Sequence, residues 1–392
     1  MTVAHPIAQA WLSTGGTGAQ NYDEFADDAE ITAIIADNPA SALAVEMPHR
    51  APESVGRPFL DCLPDAVARL QSAKDAGRYA PAADVVVLYR ITAPDGARAY
   101  GLWCMVDTDQ ISTSADEPGT VIRNEDVFIE KVRERVALAE ATRHLLSPVL
   151  LLQTAHGDAL HAALAQAVAD AGSPAVTDVD PSGRAHEIWA VGAGTTRDRL
   201  LALAGGGELV VADGNHRSLA AQTAGYPRFL AVITTPESVA IQPYNRLVSE
   251  LPEGLEGLDR EELAGPVGVP SIGGRVHLYT RNGAWSVALP RIEQGSVVDN
   301  LDHALVERRL FAEALDLEPG DKRITYVGGD YPAEWLRGEV DAGRAELAVL
   351  IAPVTVDDFV AVNLARQKMP RKSTWFTPKA RAGLVVAQLD SF

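Results

Sequence analysis

Apolar residues recur at helical spacing in several stretches of the chain and run continuously or alternate in others. Ile31, Ile34 and Ile35 lie on one face of a predicted helix over residues 27–38, stopped by the Asn38-Pro39 step. A strand is expected over 42–46. Pro64 to Ala76 predicts a second helix, with Val67, Leu70 and Ala73 on its apolar face and Gly77 just past its end. Two apolar runs, 85–91 and 97–103, flank Pro94-Asp95-Gly96 and predict a hairpin.

Beyond a polar loop over 112–119, a long amphipathic helix is expected from Val127 to Leu146, broken at Ser147-Pro148, followed by a buried strand over 149–152. Helices over 160–171 and 197–204 and a strand over 208–212 lead into Asp213. A helix over 219–224 and a strand over 229–233 follow. The last stretch alternates again: strands at 276–279, 285–289, 323–327 and 347–351, helices at 304–314 and 356–365, and a basic, hydroxyl-rich loop over 369–379. These elements predict an α+β protein in three regions, 1–115, 116–255 and 256–392.

The most informative segment is Asp213-Gly214-Asn215-His216-Arg217, where an apolar strand delivers polar residues abruptly to a helix start. Gly214 allows the tight turn. Backbone N–H groups at a helix start lack intrahelical partners and sit at the positive end of the dipole, so they favour an anion, and His216 and Arg217 add donors. A phosphate suits this arrangement, although a helix simply capped by Asp213 or Asn215 fits the same residues. A second candidate is the loop Arg371-Lys372-Ser373-Thr374, with Lys379 nearby, which has the composition of a phosphate or carboxylate site. Glu125, just before a helix, is a third.

Charge narrows the partners. Against 34 basic residues stand 53 acidic ones, a net charge of −19 that repels a nucleic-acid backbone. Cys62 and Cys104 are too few for a disulfide framework, and neither has a second ligand at metal spacing. No stretch approaches the ~20 apolar residues of a membrane span, and the N-terminal MTVAHPIAQAWLSTGG lacks a basic stretch followed by an apolar run. The expected location is the cytoplasm, with small molecules as partners and neither nucleic acid nor membrane; a homo-oligomer is compatible with the sequence. Walker, H-E-x-x-H, G-x-S-x-G and paired C-x-x-C motifs are missing from the sequence.

Several short motifs, taken in order, resemble the domain-of-unknown-function 1015 family of bacteria and archaea. They are Asn21-Tyr22-Asp23, Asn38-Pro39 through Glu46-Met47-Pro48, Arg123-Asn124-Glu125, Ala141-Thr142-Arg143 with Ser147-Pro148, Ala212 to Arg217, and Met369 to Phe376 with Pro378-Lys379 and Gly383-Leu384. That family in turn resembles the archaeal free serine kinases of the ParB/sulfiredoxin-like superfamily. The resemblance implies a ParB/sulfiredoxin-like mixed-sheet core over 116–255 with an N-terminal α/β unit and a C-terminal α/β elaboration. It also implies a small-molecule kinase that moves a phosphoryl group from ATP or ADP, with Mg²⁺, to the hydroxyl of serine or a related metabolite.

By the same resemblance Glu125 is the general base, and His216 and Arg217 stabilise the transferring group. Asp213, Gly214 and Asn215 complete the nucleotide phosphate site, with Asp213 also holding the metal. Arg123, Lys372, Ser373, Thr374 and Lys379 hold the substrate or a phosphate. The chain departs from the pattern at Asn124, where a His is usual, at Asn215, at Asp126-Val127 and at Ala44. These departures keep two alternatives open: a nucleotide or metabolite-binding regulatory protein, and a nucleotide hydrolase on the same scaffold. Asn215 occupies the position of the reactive Cys of the sulfiredoxin branch, which excludes sulfinic acid reduction.

Overall fold

The computed structural model describes residues 2–25, 27–112, 119–123, 129–251, 255, 258–318 and 320–389. The architecture is α+β, with a mixed central sheet and flanking helices. The chain divides into two compact units: Met1–Val239 with Pro378–Phe392, and Ala240–Thr377. The predicted boundaries near 115 and 255 are not where the chain divides. Strands from 1–115 and from 116–255 stand side by side in one sheet, with Arg98–Asp107 paired to Arg228–Thr234 from Gly101↔Thr234 to Asp107↔Arg228.

The sheet of the first unit has twelve strands among the described residues. From one edge it runs Val121–Ile122, Leu209–Asp213, Val149–Gln153, Arg228–Thr234, Arg98–Asp107, Tyr79–Thr92, Ile7–Ser13, Val385–Gln388 and His144–Leu145. Two pairings are parallel, Val121–Ile122 with Leu209–Asp213 and Val149–Gln153 with Arg228–Thr234. Strands at this centre are covered on both faces, which explains why 149–152 and 209–212 read as unbroken apolar runs. Leu88, Leu102, Leu151, Val211 and Ile233 form a core with the apolar stripes of the helices Gly157–Asp170 and Thr195–Ala204. Leu70 of the Leu63–Asp75 helix and Leu138 of the Ile129–Thr142 helix pack with Val45, Tyr79 and Val386 in another.

One expected strand is a helix: Ala42–Glu46 forms a single α-helical segment with all five residues buried. A short apolar run is compatible with either buried state, and here Met47 N–H closes on Leu43 O, 2.8 Å away, in the helical pattern. The helix expected to begin at Leu219 starts at Asn215, so the polar turn residues belong to its first turn. Cys62 and Cys104 are buried free thiols. No helix among the described residues is long and apolar enough to cross a membrane.

Among the described residues of the second unit a six-stranded antiparallel sheet runs Arg260–Glu262, Gly283–Ala288, Arg275–Thr280, Leu347–Ile351, Asn245–Val248 and Ile324–Val327. The helix expected over 304–314 is α-helical only at Asp302–Leu305 and continues as a π-helix over Val306–Ala314. The expected tail loop contains a strand, Trp375–Thr377, paired with Ala240–Gln242.

Candidate functional site

The Asp213 turn follows from its neighbours. Leu209, Val210, Val211 and Ala212 are buried, and a register shift between Val211 and Asp213 re-aims the strand end where it leaves its Val149–Gln153 partner. Gly214 then takes a left-handed conformation, φ 95°, and the helix Asn215–Thr223 starts with no capping side-chain bond. Asp213 therefore does not cap this helix. Its carboxylate instead accepts a hydrogen bond from Arg217 Nη2 at 2.6 Å.

Arg217 is buried and fastens three segments together. Besides Asp213, its Nη1 donates to Asn21 Oδ1 at 3.3 Å and to the carbonyl of Pro148. Burial alone would depress this guanidinium's pKa, but the Asp213 carboxylate, with Asp23, Tyr22 and Glu46, outweighs it and raises the pKa. Lys379 reaches the same place from the far end of the sequence. Its Nζ lies 3.7 Å from Asp213 Oδ1 and 3.9 Å from Glu24 Oε1. The strap that carries it is tied down by Asn21 Nδ2 on Ala380 O at 3.4 Å and by Tyr89 Oη, which accepts from Arg381 N at 3.1 Å.

Two carboxyl groups that sequence reading left out of the site belong to it. Glu24, 8% exposed, accepts from Asn21 N at 3.0 Å, and burial pushes its pKa up to about 7 against the pull of Lys379. Glu46, 2% exposed, accepts from Ser147 Oγ; burial likewise pushes it up to about 7, opposed by Arg135 and Arg217. The Arg135 guanidinium lies over the Tyr22 ring, 4.2 Å from its centroid, and donates to Glu46 O at 3.1 Å. A sequence signal for Arg135 existed. It occupies the core-facing stripe Val132, Arg135, Ala139, Thr142 of its helix, where a charge needs a partner.

Asn215 and His216 are buried beside the turn, in the first turn of the helix. Arg123 is half-buried and leads into residues 124–128; Glu125 and Asn124 lie outside the described residues. Lys372, Ser373 and Thr374 belong to the second unit, whereas Lys379 belongs to the first. There Lys372 has φ 50° and its Nζ lies 5.7 Å from the Tyr244 ring centroid, while Ser373 is buried. Among the described residues no group of three or more His, Cys, Asp or Glu is arranged to hold a metal ion.

A family model described as a protein of unknown function, DUF1015, matches residues 17–304. No protein with a curated description matches the chain. Among solved structures, a mutant free serine kinase in complex with AMP is similar with a TM-score of 0.40 and 13% identity, over 70% of this chain and 87% of that one. SbnI with a C-terminal truncation, from Staphylococcus aureus, is similar with a TM-score of 0.40 and 11% identity, over 72% and 87%. A conserved hypothetical protein from Pyrococcus furiosus gives 0.37 and 12%, over 72% and 95%.

Proposed function

The chain belongs to the DUF1015 family, and on that premise we propose that it is a small-molecule kinase that binds ATP or ADP at the Asp213–Arg217 turn and phosphorylates a hydroxyl-bearing metabolite such as serine. One observation carries the reading: Lys379 Nζ stands 3.7 Å from Asp213 Oδ1, so a cation from a distant motif joins a helix start already suited to an anion. Phosphoryl transfer asks a protein chiefly for positioning and charge neutralisation. The turn with Asn215 and His216 would cradle the phosphates and Lys379 would neutralise them. Arg217, spent on Asp213, Asn21 and Pro148, would hold the cradle's shape.

Glu125 would take the proton from the acceptor hydroxyl as its oxygen bonds to the terminal phosphorus and the bond to the nucleotide leaving group breaks. Arg123 would hold the acceptor or a phosphate, the role that the resemblance also gives to Lys372, Ser373 and Thr374. Asp213 does not fit the metal role the resemblance implies, because its two oxygens already face Arg217 and Lys379. Mg²⁺ keeps several waters and is usually held by one or two carboxylates together with substrate phosphates, and both Asp213 oxygens are already engaged. We therefore assign Asp213 to ordering the two cations.

The test is a phosphorus NMR and mass-spectrometric screen of the protein with Mg²⁺, ATP or ADP, and a panel of hydroxyl amino acids. One new phosphomonoester, lost in Glu125→Gln, is the expected result. Full activity in that variant would sink the base assignment. A second reading, a nucleotide-binding regulatory protein, is favoured by the internal pairing of Arg217 with Asp213, which takes that guanidinium away from a ligand. Nucleotide binding with no product or hydrolysis across the panel would select it; hydrolysis without a phosphorylated acceptor would select a nucleotide hydrolase.

A further inference from the structure

Arg217 also lines a cavity of about 60 Å³, whose other polar lining groups include Glu46, Arg135 and Ser147 and whose apolar wall includes Leu146 and Phe229. A cavity holds a water once it offers roughly 10–15 Å³, so this one has room for several, or for one compact solute. Glu46 is 2% and Arg135 7% exposed. Glu46 Oε2, Arg135 Nε and Nη1, and Arg217 Nε are buried with no hydrogen-bond partner among the described residues.

These groups do not satisfy one another. Arg135 gives its Nη2 proton to the backbone carbonyl of Glu46, not to the carboxylate, and stays between the rings of Tyr22 and Phe59, 4.2 and 5.1 Å from their centroids. Opposite charges buried on one cavity without an ion pair are destabilising, because desolvation is not offset by contact. A guest that brings an anion to the guanidinium and a cation to the carboxylate removes that cost. The apolar wall then leaves space only for a short side chain.

We propose that this cavity binds a small α-amino acid as a zwitterion, its carboxylate on Arg135 and its ammonium group on Glu46 Oε2. The cavity shares Glu46 and Arg217 with the candidate site above, but the proposal does not rest on the phosphoryl-transfer reading, since it needs no nucleotide. An ammonium group beside Glu46 draws its pKa, pushed up to about 7 by burial, back down. Binding at pH 7 therefore releases protons, and binding at pH 9 releases none from this group.

The experiment is calorimetric titration of the full chain, without nucleotide, by glycine, L-alanine and L-serine, with N-acetyl-L-serine, L-serinamide and propionate as controls. At least glycine or L-alanine is expected to bind, with proton release at pH 7 read from buffers of different ionisation enthalpy. Both capped forms and propionate should bind at least about tenfold more weakly. Glu46→Gln should lose the proton release and Arg135→Met the affinity; if either variant fails to fold, the ligand series on the unaltered chain still decides. Equal binding of propionate or the capped forms would make this a plain anion site and overturn the proposal, as would no binding by any of the three amino acids. Binding by L-serine alone would belong to the kinase's acceptor site and overturn this proposal, because glycine and L-alanine carry the same two charged groups without a hydroxyl; the two readings therefore fail separately.

Discussion

The guanidinium of Arg217 lies over the bare face of Gly214: a Cβ at position 214 would stand 3.0 Å from Arg217 Nε and 3.1 Å from its Cζ. The glycine is required twice, once by its φ of 95° and once by the group packed against it. Gly214→Ala should therefore cost about 1–3 kcal/mol of stability and weaken nucleotide binding, because Arg217 must move off Asp213. Thermal unfolding and a nucleotide titration check both effects. Unchanged stability and affinity would show that the turn tolerates a different shape.

The Arg217–Asp213 pair should behave as one unit with Lys379. Arg217→Met leaves the largely buried Asp213 carboxylate with Lys379 alone, and breaking a buried pair this way costs about 3–5 kcal/mol. In an Arg217→Met, Asp213→Asn double-mutant cycle the two losses should be far from additive, with a coupling above about 1 kcal/mol. Urea unfolding of the four proteins measures it. Additive losses would mean that the 2.6 Å contact contributes nothing specific.

The α+β class and most elements were legible because their apolar spacing decides them without tertiary help. What escaped was local ambiguity and long-range placement. Ala42–Glu46 is a buried apolar pentad, which periodicity cannot assign to strand or helix. The Asp213 turn was readable as an anion site because strand, glycine and helix start are contiguous, but its partners Asn21, Glu24 and Lys379 come from elsewhere in the chain. Glu46 enters the sequence reading only as the end of an expected strand and as part of a family motif, and only burial beside Arg135 gives it chemistry. Lys372 and Lys379 look like parts of one basic loop, yet the chain passes between units at Thr377 and Pro378.

Stability should depend on pH in the sense opposite to that of a salt-bridged carboxylate. Glu24 and Glu46 have native pKa values raised to about 7 by burial, so between roughly pH 5 and 7 the native state holds protons that the unfolded chain has released. Their stabilising contribution is complete below the unfolded pKa and is lost as pH rises through 7, up to about 3 kcal/mol for each group. Urea unfolding at pH 5, 6, 7 and 8 should show stability falling across this window. Glu24→Gln and Glu46→Gln should each flatten the slope; a slope unchanged in both would remove these carboxyls as its cause.

Removing the Lys379 charge should act on Glu24 before it acts on anything else. Lys379 is the group that opposes burial most strongly at this carboxyl, so Lys379→Met should raise the Glu24 pKa above 7 while nucleotide affinity falls by about tenfold or more. Carbon-detected NMR titration of the glutamate carboxyls follows the first effect and a nucleotide titration the second. A Glu24 pKa that stays in place would show that Lys379 is not near it in solution.

The strap that carries Lys379 is held by a hydrogen-bond chain whose direction is fixed at one end. Arg381 N donates to Tyr89 Oη at 3.1 Å, and Tyr89 in turn faces His186 Nδ1 at 2.6 Å. His186 Nε2 lies 3.1 Å from Asp180 Oδ2, and Asp180 Oδ1 accepts from Ser182 N and Arg184 N, both at 2.9 Å. Burial lowers the His186 pKa and favours a neutral ring. The neutral tautomer that donates from Nε2 to the carboxylate leaves Nδ1 to accept the Tyr89 hydroxyl proton. Tyr89→Phe strips both Arg381 N and His186 Nδ1 of a buried partner, which should cost about 1–3 kcal/mol. Because the loss falls on the Lys379 strap, hydrogen exchange at the Arg381 amide should accelerate and nucleotide affinity should drop, while amides of the Ala240–Thr377 unit keep their protection. Loss of stability with the Arg381 amide still protected would mean that the tyrosine supports the sheet and not the strap.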